Sequence, residues 1–247
     1  MLDVETRGNG LDLVLLHSLL SDRGAWDRVR PELEKSFRLH LVSLPGYGRS
    51  PSGEEKTIED YADRIASGVK LDKPFALLGN GFGGFIALAF ALRHGERLSA
   101  LIPAPALAGF PAPAREPFRV MAAKVREGGM ATVLDAAMLR MFPPAYIAAH
   151  PDIVAERKSA LAKADPGCFA AACIALSKVD FGPSLKAIKV RTLVLAGELD
   201  QTTPGELARE LAAGIAGAEF QAIAGCGHCP QIEKPAEFAA AVRKFLA

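Results

Sequence analysis

Residues 77–84 read Leu-Leu-Gly-Asn-Gly-Phe-Gly-Gly, and few stretches of this length restrict a fold so narrowly. An apolar run from Phe75 leads in, and an apolar helical run from Phe85 leads out. That is the strand–turn–helix setting in which a G-x-S-x-G nucleophile elbow has physical meaning. So tight a turn forces its apex into a strained backbone and admits only small residues beside it. Gly79, Gly83 and Gly84 supply the room, yet the apex is Gly81, which has no side-chain oxygen. The frame of a nucleophilic site is present without its hydroxyl.

An elbow of this kind needs a parallel sheet around it, and the flanking sequence is patterned to make one. Buried strands are predicted at 11–17, 37–44, 98–102, 190–196 and 219–223. Helices are predicted at 22–33 with Ser21 as N-cap, at 57–69 capped by Thr57, from the elbow to 94, at 204–213 and at 235–246. Such alternation predicts an α/β fold, a mostly parallel sheet covered by helices on both faces. Between 104 and 187 the strand signals stop, and helical segments at 115–127, 130–141, 152–163 and 168–178 replace them. Pro143-Pro144 and Asp165-Pro166-Gly167 punctuate these segments. The expected organisation is a core made of 1–103 and 188–247, with a helical cap inserted at 104–187. At 247 residues the chain has length for one such domain.

Charge and cysteine content narrow the setting. The formal net charge is +1 with the charges well mixed, so electrostatics argues for neither nucleic acid nor an anionic membrane as partner. No basic-then-apolar leader precedes the first strand, and no apolar run spans a bilayer, so the expected location is the cytoplasm. Cys226 and Cys229 flank His228 as C-G-H-C but lack a second ligand pair at zinc spacing. They are expected to be reduced thiols, with no metal and no cofactor.

Two loops after resumed strands carry chemistry. Asp200 follows the run 193–197, and His228 follows the strand at 219–223. The order elbow, Asp, His is that of a hydrolytic triad, and loops at the carboxyl ends of parallel strands converge on one crevice. His228 is expected to face the apex while Asp200 accepts its other N–H. The loop at 17–22 is expected to supply one oxyanion donor, the backbone N–H of Leu19, and the residue after the apex, Phe82, the other.

On these motifs the chain resembles the α/β-hydrolases with a helical cap, over essentially its whole length. Among them it is most similar to the 3-oxoadipate enol-lactonases. Ser18-Leu19, Asp22 and Trp26 match that group's oxyanion loop, and the stretches 141–147 and 165–172 are similar to its cap. The resemblance implies a small-molecule hydrolase acting on a carboxylate-bearing lactone or ester, with catalytic positions His228, Asp200 and Gly81 and no cofactor. Substrate contacts are expected from Ser18, Trp26, Met121, Met138 and Met141; the oligomeric state is open. Three departures stand out: Gly81 in place of serine, Leu44-Pro45 before Gly46 where Asp and Arg are usual, and Arg191 where Pro is usual.

Gly81 admits three readings: a hydrolase whose serine has been replaced, a serine-less enzyme in which the dyad acts as general base, or a silent binding protein. Ser18 is the nearest alternative hydroxyl, expected to make a local loop hydrogen bond. Arg49, Arg140 and Arg191 are candidate partners for a substrate carboxylate, each with a surface role as the plainer expectation.

Overall fold

The computed structural model describes residues 1–247. The first half contains β1 (Val4–Arg7), β2 (Leu11–Leu16), α1 (Arg30–Leu33), β3 (Phe37–Val42), α2 (Ile58–Gly68), β4 (Phe75–Gly79), α3 (Phe82–His94) and β5 (Leu98–Pro103). Five helices follow without an intervening strand: α4 (Ala112–Gly128), α5 (Leu134–Met141), α6 (Pro144–Ala149), α7 (Pro151–Leu161) and α8 (Pro166–Leu176). The chain then returns to β6 (Leu193–Gly197), α9 (Gly205–Gly214), β7 (Glu219–Ile223), α10 (Pro230–Glu233) and α11 (Pro235–Leu246). No single helix is long and apolar enough to cross a membrane.

The strands order as β1-β3-β2-β4-β5, with β6-β7 as a second pair. All pairings are parallel except β1 with β3. A single parallel bridge, Leu101 to Thr192, joins the pair to the larger sheet. Successive strand residues face opposite ways, and the sheet is apolar on both sides because helices cover both. Val14, Leu16, Leu77 and Val194 belong to the core beneath α2, α3, α9 and the five-helix layer. Leu13, Leu15, Leu78 and Leu195 belong to the core shared with α11. An antiparallel bridge from Gly109 to Asp180 closes the base of the inserted helices.

Local chemistry explains where the predicted elements shift. Residues 22–33 do not form one helix. Asp22, rather than Ser21, accepts the Gly24 N–H and starts a 3-10 turn at Arg23–Trp26, and α1 restarts seven residues later with Pro31 in its first turn. Thr57 does cap α2, with Asp60 as its capping-box partner. Strand β1 escapes a hydrophobic reading because Val4-Glu5-Thr6-Arg7 is a half-exposed edge.

Candidate active site

The elbow is built as its glycines require. Gly81 sits at φ 54°, ψ −118°, the positive-φ apex between β4 and α3. A Cβ on Gly79 would collide with the Gly83 backbone, and one on Gly83 with the Leu16 carbonyl. Strand and helix can meet this closely only without side chains there. At Gly81 a Cβ would lie 2.6 Å from Ser18 Oγ and 2.8 Å from His228 Nε2.

The loops after β2, β4, β6 and β7 meet at this point. His228 Nδ1 donates to Asp200 Oδ2 at 2.9 Å, and both residues are buried. Asp200 is further held by the amides of Thr202 (2.8 Å) and Thr203 (2.9 Å) and by the Thr203 hydroxyl. Burial pushes the Asp200 carboxyl up, but the adjacent His228 and the hydrogen bonds from His228 and Thr203 outweigh it and hold the group below the usual carboxylate value. An ionised, fully bonded carboxylate fixes the imidazole tautomer and leaves Nε2 facing the apex.

Leu19 and Phe82 lie beside the same apex, each 2% exposed. Phe82 is the first residue of α3, so its N–H has no intrahelical acceptor. Neither amide donates to any loop or cap acceptor. Two buried residues with N–H groups free of an intrachain acceptor thus border the space beside Gly81. His17 and Tyr47 shape it: the Tyr47 hydroxyl donates to Leu19 O at 2.6 Å, and His17 Nδ1 donates to Ser18 O at 2.9 Å. Nε2 of His17 in turn accepts the Leu44 N–H at 3.0 Å.

The remaining sequence candidates are placed as follows. Ser18 lies at the apex, its Oγ meeting only the Leu20 N–H, at 3.5 Å. Trp26 does not reach the site. It is wholly buried on the opposite face of the sheet against Phe238, 6.3 Å between ring centroids, because the turn from Asp22 points it into the α11 core. Met121 and Met138 are packed among the inserted helices and line no space beside Gly81. Met141 approaches His228 through its backbone, accepting the His228 N–H at 3.1 Å. Arg49 pairs with Asp3 at 2.9 Å, and Arg191 stacks over Phe245 at 4.3 Å. Arg140 alone of the three arginines lines the space beside Gly81. Its guanidinium lies 4.9 Å over Phe118, and its buried Nε has no partner. The four cysteines are free and buried.

Three positioning residues escaped the sequence reading. Asn80 Nδ2 donates to Ala104 O (2.8 Å) and to His228 O (3.0 Å), tying the elbow to the histidine loop. Glu233 accepts the Gly227 N–H at 2.9 Å and the Cys229 N–H at 3.2 Å, bracketing His228. Thr203 is spaced three residues after Asp200, a local side-chain motif that the sequence does display. The space beside Gly81, bordered by Ser18, Leu19, Phe82, Phe118, Arg140 and His228, amounts to about 20 Å³. An outer cleft of about 400 Å³ shares Arg140 and His228 with it.

The chain matches known proteins over nearly its whole length. Residues 13–241 match the model of the Alpha/beta hydrolase family. The chain is 28% identical over 243 residues to the pimeloyl-[acyl-carrier protein] methyl ester esterase of Vibrio vulnificus, covering 95% of this chain and 93% of that one. The same-named protein of Salmonella paratyphi A is 30% identical over 247 residues, covering 96% and 95%. Among solved structures, the enol-lactonase from Burkholderia xenovorans superposes with a TM-score of 0.93 at 28% identity, covering 99% and 96%. A thermophilic esterase from Thermogutta terrifontis superposes at 0.89 and 30% identity, covering 99% and 92%.

Proposed function

We propose a function from one premise, that this chain belongs to the alpha/beta hydrolase family: it hydrolyses small carboxylic esters or lactones through the His228–Asp200 dyad, with no acyl-enzyme at the elbow. The observation that carries this reading is the dyad itself, bonded at 2.9 Å with Nε2 turned to the Gly81 apex. His228 acts as general base and then general acid, and Asp200 orients it and stabilises its charged form. The Leu19 and Phe82 amides hold the oxyanion. Relatives named as methyl ester esterases and a structural neighbour titled enol-lactonase support the substrate class. Gly81 withholds the elbow nucleophile, so turnover is expected to be well below that of a complete triad.

Arg140 refines the substrate. Burial lowers its affinity for its proton, its Nε is unpartnered, and it borders the cavity and the cleft alike. A guanidinium so placed suits a carboxylate carried by the ester or lactone. Turnover of aryl acetates, methyl half-esters of dicarboxylic acids and unsaturated lactones tests both points. His228→Ala should lower kcat by about 10²-fold or more. Gly81→Ser, whose Cβ would press on Ser18 Oγ and His228 Nε2, should raise turnover little or block the pocket. Turnover that survives His228→Ala unchanged, or absence of turnover of all these substrates by the unaltered chain, overturns the reading. Arg140→Met should raise KM for the half-esters and leave KM for the neutral acetates unchanged.

A further inference from the structure

The missing side chain at position 81 leaves two polar atoms facing one point. Ser18 Oγ lies 2.6 Å and His228 Nε2 2.8 Å from where a Cβ on Gly81 would stand. Ser18 is 2% exposed, and its hydroxyl accepts one long bond from the Leu20 N–H at 3.5 Å and donates to nothing in the protein. A buried hydroxyl proton with no acceptor is costly, and the His228 Nε2 lone pair borders the same point. The Ser18 backbone is fixed, its carbonyl accepting from His17 Nδ1 at 2.9 Å and from the Ser21 N–H at 3.2 Å. The two side chains make no direct hydrogen bond in this conformation; a χ1 rotation of Ser18, or one bridging water, would join them. The cavity of about 20 Å³ holds one water.

From this geometry we propose that Ser18 is the nucleophile of this chain, taking over from the absent elbow serine. The inference rests on the hydrolase reading above. Gly81 then makes room for the substitute hydroxyl instead of merely removing one. The relation to the oxyanion donors is preserved, since Leu19 follows Ser18 as Phe82 follows the apex, and both amides remain beside the attacking oxygen.

The chemistry balances within the site. His228 Nε2 takes the Ser18 proton as Oγ bonds to the carbonyl carbon, and the C=O π pair moves to the oxygen held by the Leu19 and Phe82 amides. Collapse breaks the carbon–oxygen bond to the leaving group, which receives the proton from His228. Water then attacks the Ser18 ester, His228 takes its proton, and that proton returns to Ser18 Oγ as the carboxylic acid departs.

The test treats the unaltered chain with a fluorophosphonate ester and locates the added mass by fragmenting the tryptic peptide 8–23. The expected label is on Ser18, absent from His228→Ala and accompanied by loss of 4-nitrophenyl acetate turnover. Ser18→Ala, checked for an unchanged melting temperature, should lose about 10²-fold in kcat with KM little altered. Turnover that requires His228 while Ser18 stays unlabelled, or while Ser18→Ala keeps activity within about twofold, overturns the proposal and leaves direct attack by water. A label on Ser18 without turnover of any ester or lactone sustains the nucleophile and overturns the substrate reading instead. Absence of both label and turnover overturns both.

Discussion

At the scale of single residues, groups that do not line the space beside Gly81 hold its loops in place. Asn80 is fully buried and bonds two carbonyls far apart in the chain, Ala104 O and His228 O. Removing its amide strands both acceptors. Asn80→Ala should therefore lose about 2–3 kcal/mol, two modest hydrogen bonds plus the desolvation of unpaired groups, measured as a lower urea midpoint at unchanged m-value. The same variant should lower kcat more than it raises KM, because the His228 loop loses its tie to the elbow. The elbow, Asp200 and His228 were legible in the sequence because each sits in a local motif after a strand. Asn80 and Glu233 were not, since their partners are chosen by how distant loops return. Trp26 shows the converse: it was matched to a family position as a substrate contact, but the 3-10 turn at Asp22 sends the ring through to the other face.

At the scale of elements, the inserted helices are latched to the core at a few polar points. Arg157 of α7 donates to Asp22 Oδ1 at 2.9 Å, and Asp22 also starts the 3-10 turn after the Ser18 loop. The Thr202 hydroxyl donates to Arg140 O at 2.8 Å, and the Asp165 N–H to Gly46 O at 2.8 Å. The Arg157 side chain is 6% exposed while that of Asp22 is 35% exposed. Losing one partner of a fully buried pair costs about 3–5 kcal/mol, and solvent screening at Asp22 brings the expected cost of Arg157→Met down to about 1–3 kcal/mol. Limited proteolysis should then cut first within residues 104–187, and equal cleavage rates in the variant and the unaltered chain would contradict the latch. Helix periodicity made the inserted segment readable as helices. It did not reveal α6 or the 3-10 start at Met130, because six-residue and four-residue elements are too short to show a period.

Across the whole molecule, the alternation of strand and helix was legible because burial on both faces of a sheet leaves continuous apolar runs. The single bridge from β5 to β6 was not, since it depends on where the chain re-enters after five helices. Acid stability is a property at this scale. Burial lowers the His17 pKa from 6.5 to about 4, while its hydrogen bond to Ser18 O pulls weakly the other way. Between those values the unfolded chain takes up a proton that the folded protein refuses. Stability should thus fall as pH drops from about 6.5 to about 4, by on the order of 3 kcal/mol, and this contribution should level off below. Urea unfolding across that range measures the slope, and His17→Gln should flatten it. Asp12, held near 2 mainly by its hydrogen bonds from Arg38, adds a second loss as pH falls from 3.8 toward that value.

A space of about 20 Å³ beside Gly81 admits one water and no ester. An ester reaching Gly81 from the outer cleft of about 400 Å³ therefore has to displace part of the wall that the helices supply. Observed affinity is then the intrinsic affinity multiplied by the fraction of molecules with that wall displaced. The latch that strengthens the fold works against capture. Loosening it at Arg157 should lower KM while it lowers the melting temperature, so that weaker folding and tighter apparent binding rise and fall as one quantity.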